Sequence, residues 1–168
     1  KHKQWQGSDR AIGLSLFFHG AGFTGIGEVK LASKASLQLT ATGVRILVAS
    51  TEIGQGTRTM HAQIVADALG LPYDAVEVSE ADTAQVPDSG PTVASRTCMV
   101  VGQLVEVAAL GVKHALIDAG YLPVMHTRAE FRRACQRYVE AFGSLHATSQ
   151  YQPPPGVRWD DEKYVGDA

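Results

Sequence analysis

The stretch from Arg96 to Ala119 reads as a helix that is apolar nearly all round, with Met99, Val100, Val101, Leu104, Val105, Val107, Ala108, Leu110 and Val112 spread over its faces. Such a helix has little to offer water, so it is expected to be central and buried, with the rest of the chain wrapped around it. The 168 residues, 45% of them hydrophobic and 19% charged, are enough to enclose one sizeable core.

The flanking segments suggest what surrounds that helix. Ala35-Ser36-Leu37-Gln38-Leu39-Thr40 alternates apolar with polar side chains, as a strand with one wet face must. After the turn signal Thr42-Gly43, Val44, Ile46 and Val48 resume the alternation, which predicts an antiparallel hairpin. Upstream lies an apolar run, Ile12 to Phe18. It is followed by His19 to Gly27, whose four glycines suit a bend, a bulge or a cofactor-facing loop.

From Gln55 to Leu69 the period becomes helical. Met60, Ile64 and Ala68 line one face with Val65 and Leu69 beside them, leaving Arg58, His61 and Asp67 for solvent. Gly70 and Pro72 end that helix, and Val76-Glu77-Val78 reads as a short strand. Asp82 to Ser95 is loop-like. A third helix opens on Thr127-Arg128-Ala129-Glu130, which has the capping-box spacing, and runs through Phe131, Ala134, Cys135, Tyr138, Val139 and Phe142 to Gly143. From Ser149 the composition, with Pro153-Pro154-Pro155-Gly156, is that of an extended segment. The expected class is α+β: a mainly antiparallel sheet with about three helices packed on one side, residues 1–148 forming the domain and 149–168 an extended tail.

A formal charge of −2 gives no electropositive field for nucleic acid or an anionic membrane. The apolar run around Met99 to Leu110 is broken by Gly102, Gln103 and Glu106, short of the roughly 20 residues a bilayer crossing needs, and Lys1 to Gln6 does not resemble a signal peptide. These features point to a cytoplasmic chain, and the absent initiator Met fits one cut from something longer. Cys98 and Cys135 are far apart, outside any CxxC spacing, and read as reduced structural thiols.

Two segments have the makings of a binding site. Glu52-Ile53-Gly54-Gln55-Gly56-Thr57 stands where a strand gives way to a helix. Its glycines permit close approach to a ligand, the first N–H groups of the helix suit an anion, and Gln55 offers an amide that donates and accepts. The plainer reading is a tight turn with Thr57 as helix cap; no Gly-Lys-Ser/Thr follows, so this is not a Walker A loop. Asp88 to Thr97 likewise brings a glycine and several hydroxyls to the start of the apolar helix, where Thr92 or Ser95 can act as caps. If the two helices pack side by side, both loops can face one polar ligand.

In order along the chain, EIGQGT, a helix ending ADALGLPYDAVEV, then ADTAQVPDSGPTVASRT and MVVGQ resemble the molybdopterin-binding large subunit of the xanthine dehydrogenase and aldehyde oxidase family. The resemblance covers Ile12 to Ala119 well, and the tail more loosely. It implies that Gly54, Gln55 and Gly56 contact a molybdopterin-type molybdenum cofactor, in the cytosine dinucleotide form. Val93 and Ala94 would lie beside the molybdenum, and Ser95 and Thr97 would hydrogen-bond the pterin side. Val93 stands where several animal-type members have Ala, while Val also suits the bacterial branch. The implied activity is hydroxylation of a purine-like heterocycle or an aldehyde with water-derived oxygen. The implied partners are the rest of the large subunit, the iron–sulfur clusters and FAD on other domains or subunits, and a small-molecule substrate.

The resemblance also places the catalytic glutamate outside this chain, so no catalytic residue is assigned here and the piece alone is expected to be inactive. Glu28 matches a strand region of the family and reads as structural. His2, His19, His61, His114, His126 and His146 show no HxH or HExxH spacing, and Glu80, Asp82 and Asp88 no EF-hand pattern, so no metal ligand is assigned. His19 alone sits in the glycine loop that the resemblance turns towards the cofactor. Two other classes fit the glycines: a non-catalytic phosphate- or nucleotide-binding module using the two helix N-termini, and a structural domain that needs them only for turns.

Overall fold

A computed structural model describes residues 7, 9, 11–16, 23 and 26–166. The glycine-rich loop, apart from Phe23, Ile26 and Gly27, lies outside them, as do residues 17–18 of the first apolar run; positions 12–16 of that run form no regular element and are exposed. The elements are α1 (Gly27–Leu31), β1 (Lys34–Thr40), β2 (Gly43–Leu47), α2 (Thr57–Leu69), β3 (Val76–Val78), α3 (Gly102–Asp118), α4 (Arg128–Phe142), β4 (His146–Gln150), β5 (Trp159–Asp160) and β6 (Val165–Gly166).

The four-stranded sheet has the order β3-β2-β1-β4. The expected hairpin is present, with Leu37 opposite Ile46 and Leu39 opposite Val44, and β4 adds a second antiparallel edge. Only β3 runs parallel to its neighbour, because α2 carries the chain back over the sheet before β3 begins. The period-2 rule divides the faces. Ala35, Leu37, Leu39, Val44, Ile46 and Val48 are buried in one core with the inner faces of α2, α3 and α4. The other face carries polar pairs, Ser36 Oγ to Thr148 Oγ1 at 2.7 Å and Arg45 to Glu77 at 2.9 Å.

Packed structure continues past the expected start of the tail. β4 runs through Ser149, whose hydroxyl donates to the Leu104 carbonyl and ties the strand to α3. Beyond Gln150, β5 and β6 pair with each other in a separate two-stranded sheet.

α3 is central, as its composition requires, but not buried all round. Val101, Leu104, Val105, Ala108, Ala109, Val112 and Leu116 face the core, while Met99 and Val107 are more than half exposed. The sheet and α2 cover one side of the helix only. Its first turn, Thr97–Val101, is wound as a π-helix, with the Gly102 N–H donating to the Thr97 carbonyl. Although the unbroken apolar run is short, Thr97–Asp118 spans 22 residues and holds an 18-residue stretch of mean hydropathy 1.5, long and apolar enough to cross a membrane by those measures. Here it is the core helix that β1 and β4 pack against.

The cap of α4 forms as the spacing predicts. The Thr127 side chain accepts from the Glu130 N–H, and the Glu130 carboxylate accepts from the Thr127 N–H. Thr127→Ala removes one of these bonds and is expected to cost about 1 kcal/mol. Urea unfolding checks this, with a lower midpoint and an unchanged slope.

Candidate functional site

Two helix N-termini stand side by side because α2 and α3 approach closely at Gly102, where an added Cβ would lie 2.9 Å from Ile64 Cδ1. That contact brings the Glu52–Thr57 turn and the Thr92–Thr97 loop together. Gln55, Gly56, Ala94, Ser95 and Thr97 line one shallow cavity of about 200 Å³, with Thr57, Met60 and Cys98 completing it. Gly54 and Val93 are not in its lining; both are exposed at the outer ends of the two segments.

The turn is tied internally. Gln55 Oε1 accepts from the Ile53 N–H, while Nε2 donates to the Thr51 carbonyl and to Thr57 Oγ1. Both amide hydrogens are therefore engaged, and one lone pair of Oε1 remains for a ligand. Gly54 and Gly56 adopt φ of +100° and +86°, with nothing within 4 Å of where a Cβ would stand, so the backbone conformation requires glycine and the space above it is open.

The sequence suggested free N–H groups at the start of α2, and the structure differs. The Glu52 carboxylate accepts from the N–H groups of Gly54, Gly56 and Arg58. Bonds from Arg58 first, then from Gly56, Gly54 and Thr57, hold its carboxyl below the usual range. An acid already occupies the place where an external phosphate would sit, which removes α2 as an open anion site. Thr57 does not cap α2 either: Gly56 is the N-cap residue, and the cap is Glu52, reaching in from the preceding strand exit. Nor does Thr92 cap α3; its hydroxyl accepts from the Thr51 N–H at 2.8 Å and joins the two segments.

The second loop is anchored by a residue whose role the sequence does not signal. Arg96 is fully buried. Its Nε and Nη2 donate to the two oxygens of Glu28 at 2.9 and 3.1 Å, Nη2 also donates to Ser33 Oγ, and Nη1 donates to the carbonyls of Ser89 and Pro91. All five guanidinium N–H donors thus have acceptors. Glu28 is structural, as expected, although it stands in the short helix α1 rather than in a strand. Gly90, at φ +72°, lets the loop close over the guanidinium; a Cβ there would sit 2.9 Å from Nη2. Ser89 completes the anchor, accepting from the Ala49 N–H and donating to the Lys34 carbonyl.

Two further side chains depart from expectation. Cys135 lies in the core, where burial pushes its thiol up to about 12, but Cys98 is exposed at the cavity. His61, expected to face solvent, is fully buried on the stripe Thr57-His61-Val65-Leu69, and burial pushes its imidazole down to about 4.

Among known proteins, the family model described as molybdopterin cofactor-binding domain matches residues 1–168. The nicotine 6-hydroxylase large subunit of Paenarthrobacter nicotinovorans is 28% identical over 113 residues, 63% of this chain and 14% of that protein. The putative xanthine dehydrogenase molybdenum-binding subunit of Escherichia coli is 31% identical over 109 residues, 64% of this chain and 14% of its own length. The aldehyde oxidoreductase of Desulfovibrio gigas superposes with a TM-score of 0.59 at 21% identity, over 80% of this chain and 14% of that one, a likeness of fold. The chain thus spans about one seventh of these relatives.

Breaking the buried pair by Arg96→Ala strands the Glu28 carboxylate and is expected to cost about 3–5 kcal/mol in denaturant unfolding. The double change Glu28→Leu with Arg96→Met should recover much of that loss. For His61, the unfolded chain takes up a proton near pH 6.5 while the folded chain does not until about pH 4. Stability is therefore complete above pH 6.5 and falls by about 3 kcal/mol between pH 6.5 and 4. Unfolding measured across that window should show this loss, and His61→Leu should lack it.

Proposed function

Because the chain belongs to the molybdopterin cofactor-binding domain family, we propose that it builds one wall of the cofactor site in a xanthine dehydrogenase-type molybdenum hydroxylase, working within a longer large subunit. The observation that carries this reading is the shared cavity between the Glu52–Thr57 turn and the Thr92–Thr97 loop.

The residues suit a flat, polar, largely neutral part of such a cofactor better than its phosphates. Gly54 and Gly56 leave the backbone open to a ring edge. Gln55 presents its remaining oxygen lone pair to a ring N–H, and the Ser95 and Thr97 hydroxyls bond from the opposite side. Ala94, at φ +47°, holds the second loop in a tight turn with only a methyl group in the way. Val93, 45% exposed, supplies an apolar surface on the side where the metal and substrate would stand.

The bound cofactor would supply the redox chemistry, inserting water-derived oxygen at a carbon of a heterocycle or aldehyde and passing two electrons to iron–sulfur clusters and FAD carried on other domains or subunits. The chain's own contribution is to bind and orient. It contains no residue assigned as the base, and purified alone it is expected to show no hydroxylase turnover.

A matured large subunit containing this chain should carry molybdenum and pterin by metal analysis and fluorescence; the absence of both would end the hydroxylase reading. In that subunit Gln55→Ala should lower cofactor occupancy by on the order of tenfold or more while circular dichroism stays native. Unchanged occupancy would remove Gln55 from the site.

A further inference from the structure

Gln55 is the longest side chain that the Glu52–Thr57 turn brings to the shared cavity, and what holds its backbone lies outside that cavity. Glu52 lines a separate hollow of about 170 Å³, which has only Thr57 in common with the first. From that side Oε1 accepts from the Gly54 N–H at 2.7 Å and the Gly56 N–H at 3.0 Å, and Oε2 accepts from the Arg58 N–H at 3.1 Å. Gly54 and Gly56 flank Gln55. One carboxylate oxygen therefore grips the chain on both sides of it.

Glycines at φ of +100° and +86° have more alternative conformations open to them than other residues, so a turn built on two of them keeps one shape only when something beyond the backbone selects it. The bonds from Gln55 Nε2 to the Thr51 carbonyl and to Thr57 Oγ1 join the two ends of the turn and depend on that shape. Hydrogen-bond donors are withdrawn at the same time. The N–H groups of Ile53, Gly54, Gly56 and Arg58 and both amide hydrogens of Gln55 are engaged, which leaves the Gln55 side chain to meet the cavity with an oxygen lone pair. Loss of the Glu52 carboxylate would release three N–H groups at the start of α2, where the helix dipole favours an anion as their next partner.

We propose that Glu52 is a positioning residue for cofactor binding. From behind the turn, and without touching the ligand, it holds Gln55 in the one arrangement that offers an acceptor to a hydrogen-bond-donating ring edge. Turn shape and hydrogen-bonding sense are thus set by the same carboxylate. The inference rests on the cofactor reading for the identity of the ligand, but the coupling of Glu52 to Gln55 belongs to the chain by itself.

The test has two parts. In the ¹⁵N-labelled chain, Gln55→Ala identifies the Gln55 side-chain amide signals by their loss. Glu52→Ala is expected to move those signals toward the position of a free glutamine amide, while the backbone amides of α4 and β4 stay where they are. Added acetate, which can take the vacated place, should return them saturably, and chloride at equal ionic strength should not. In the matured large subunit, Glu52→Ala should lower pterin occupancy by on the order of tenfold, as loss of an outer partner of a ligand-holding group does. Glu52→Gln, whose amide oxygen can keep the bonds from Gly54 and Gly56 but whose NH₂ group cannot accept from Arg58, should fall between Glu52→Ala and the wild type. Unmoved Gln55 signals in Glu52→Ala, no return with acetate, or equal occupancy in Glu52→Ala and a loaded wild type would each overturn the role of Glu52. A wild-type subunit free of pterin would instead overturn the cofactor reading on which the inference rests.

Discussion

The buried ion pair between Arg96 and Glu28 is the constraint on which the arrangement of the second loop depends. A guanidinium out of contact with water is tolerable only when its charge and all its donors are matched. Here two carboxylate oxygens, one hydroxyl and two carbonyls do so, drawn from α1, the residue just before β1 and the loop itself. These acceptors tie three stretches of chain to one side chain. The path from Ser89 to Arg96 is thereby determined by one side chain rather than by regular secondary structure. Replacing such a pair by apolar groups often leaves stability nearly unchanged, so its contribution here lies in specifying a conformation more than in net free energy.

From that anchor the geometry propagates outward through short-range contacts. Ser89 joins the loop to the Lys34 carbonyl and the Ala49 N–H, and Thr92 reaches the Thr51 N–H, so the loop is tied to the exit of β2 at two points. The close approach of α2 and α3 at Gly102 sets the spacing of their N-termini. The π-wound first turn of α3 places Thr97 and Cys98 along the cavity rim. Glu52 and Gln55 stiffen the opposite wall from within, which leaves its glycine backbone rather than its helix dipole available to a ligand.

Much of this was legible in the sequence, and the parts that were not share a cause. Alternation in β1 and β2, the capping box of α4 and the Gly70 stop of α2 are local rules, and local rules were obeyed. β4 has no local signal, because Ser149 and Thr148 resemble the polar tail that follows; only pairing with β1, more than a hundred residues earlier, makes them a strand. The buried face of α2 lies one position from the one its apolar residues suggest, because His61 falls within it; the spacing of four from Thr57 through His61 and Val65 to Leu69 marks that stripe. Arg96, flanked by Ser and Thr at a helix start, has every local mark of an exposed residue. Its burial follows from Glu28, sixty-eight residues away, and no local pattern carries that information. Each of the two loops carries its own local signal, but their convergence comes from how the helices pack.

The central claim, that the Glu52–Thr57 turn and the Thr92–Thr97 loop together hold one face of a molybdopterin-type cofactor, is tested most directly by amide hydrogen exchange on the cofactor-loaded and cofactor-free large subunit. The account predicts that loading slows exchange at residues 54–57 and 94–97 together, with little change on the β4 edge of the sheet. Protection confined to one of the two segments, or absent from both, would contradict it.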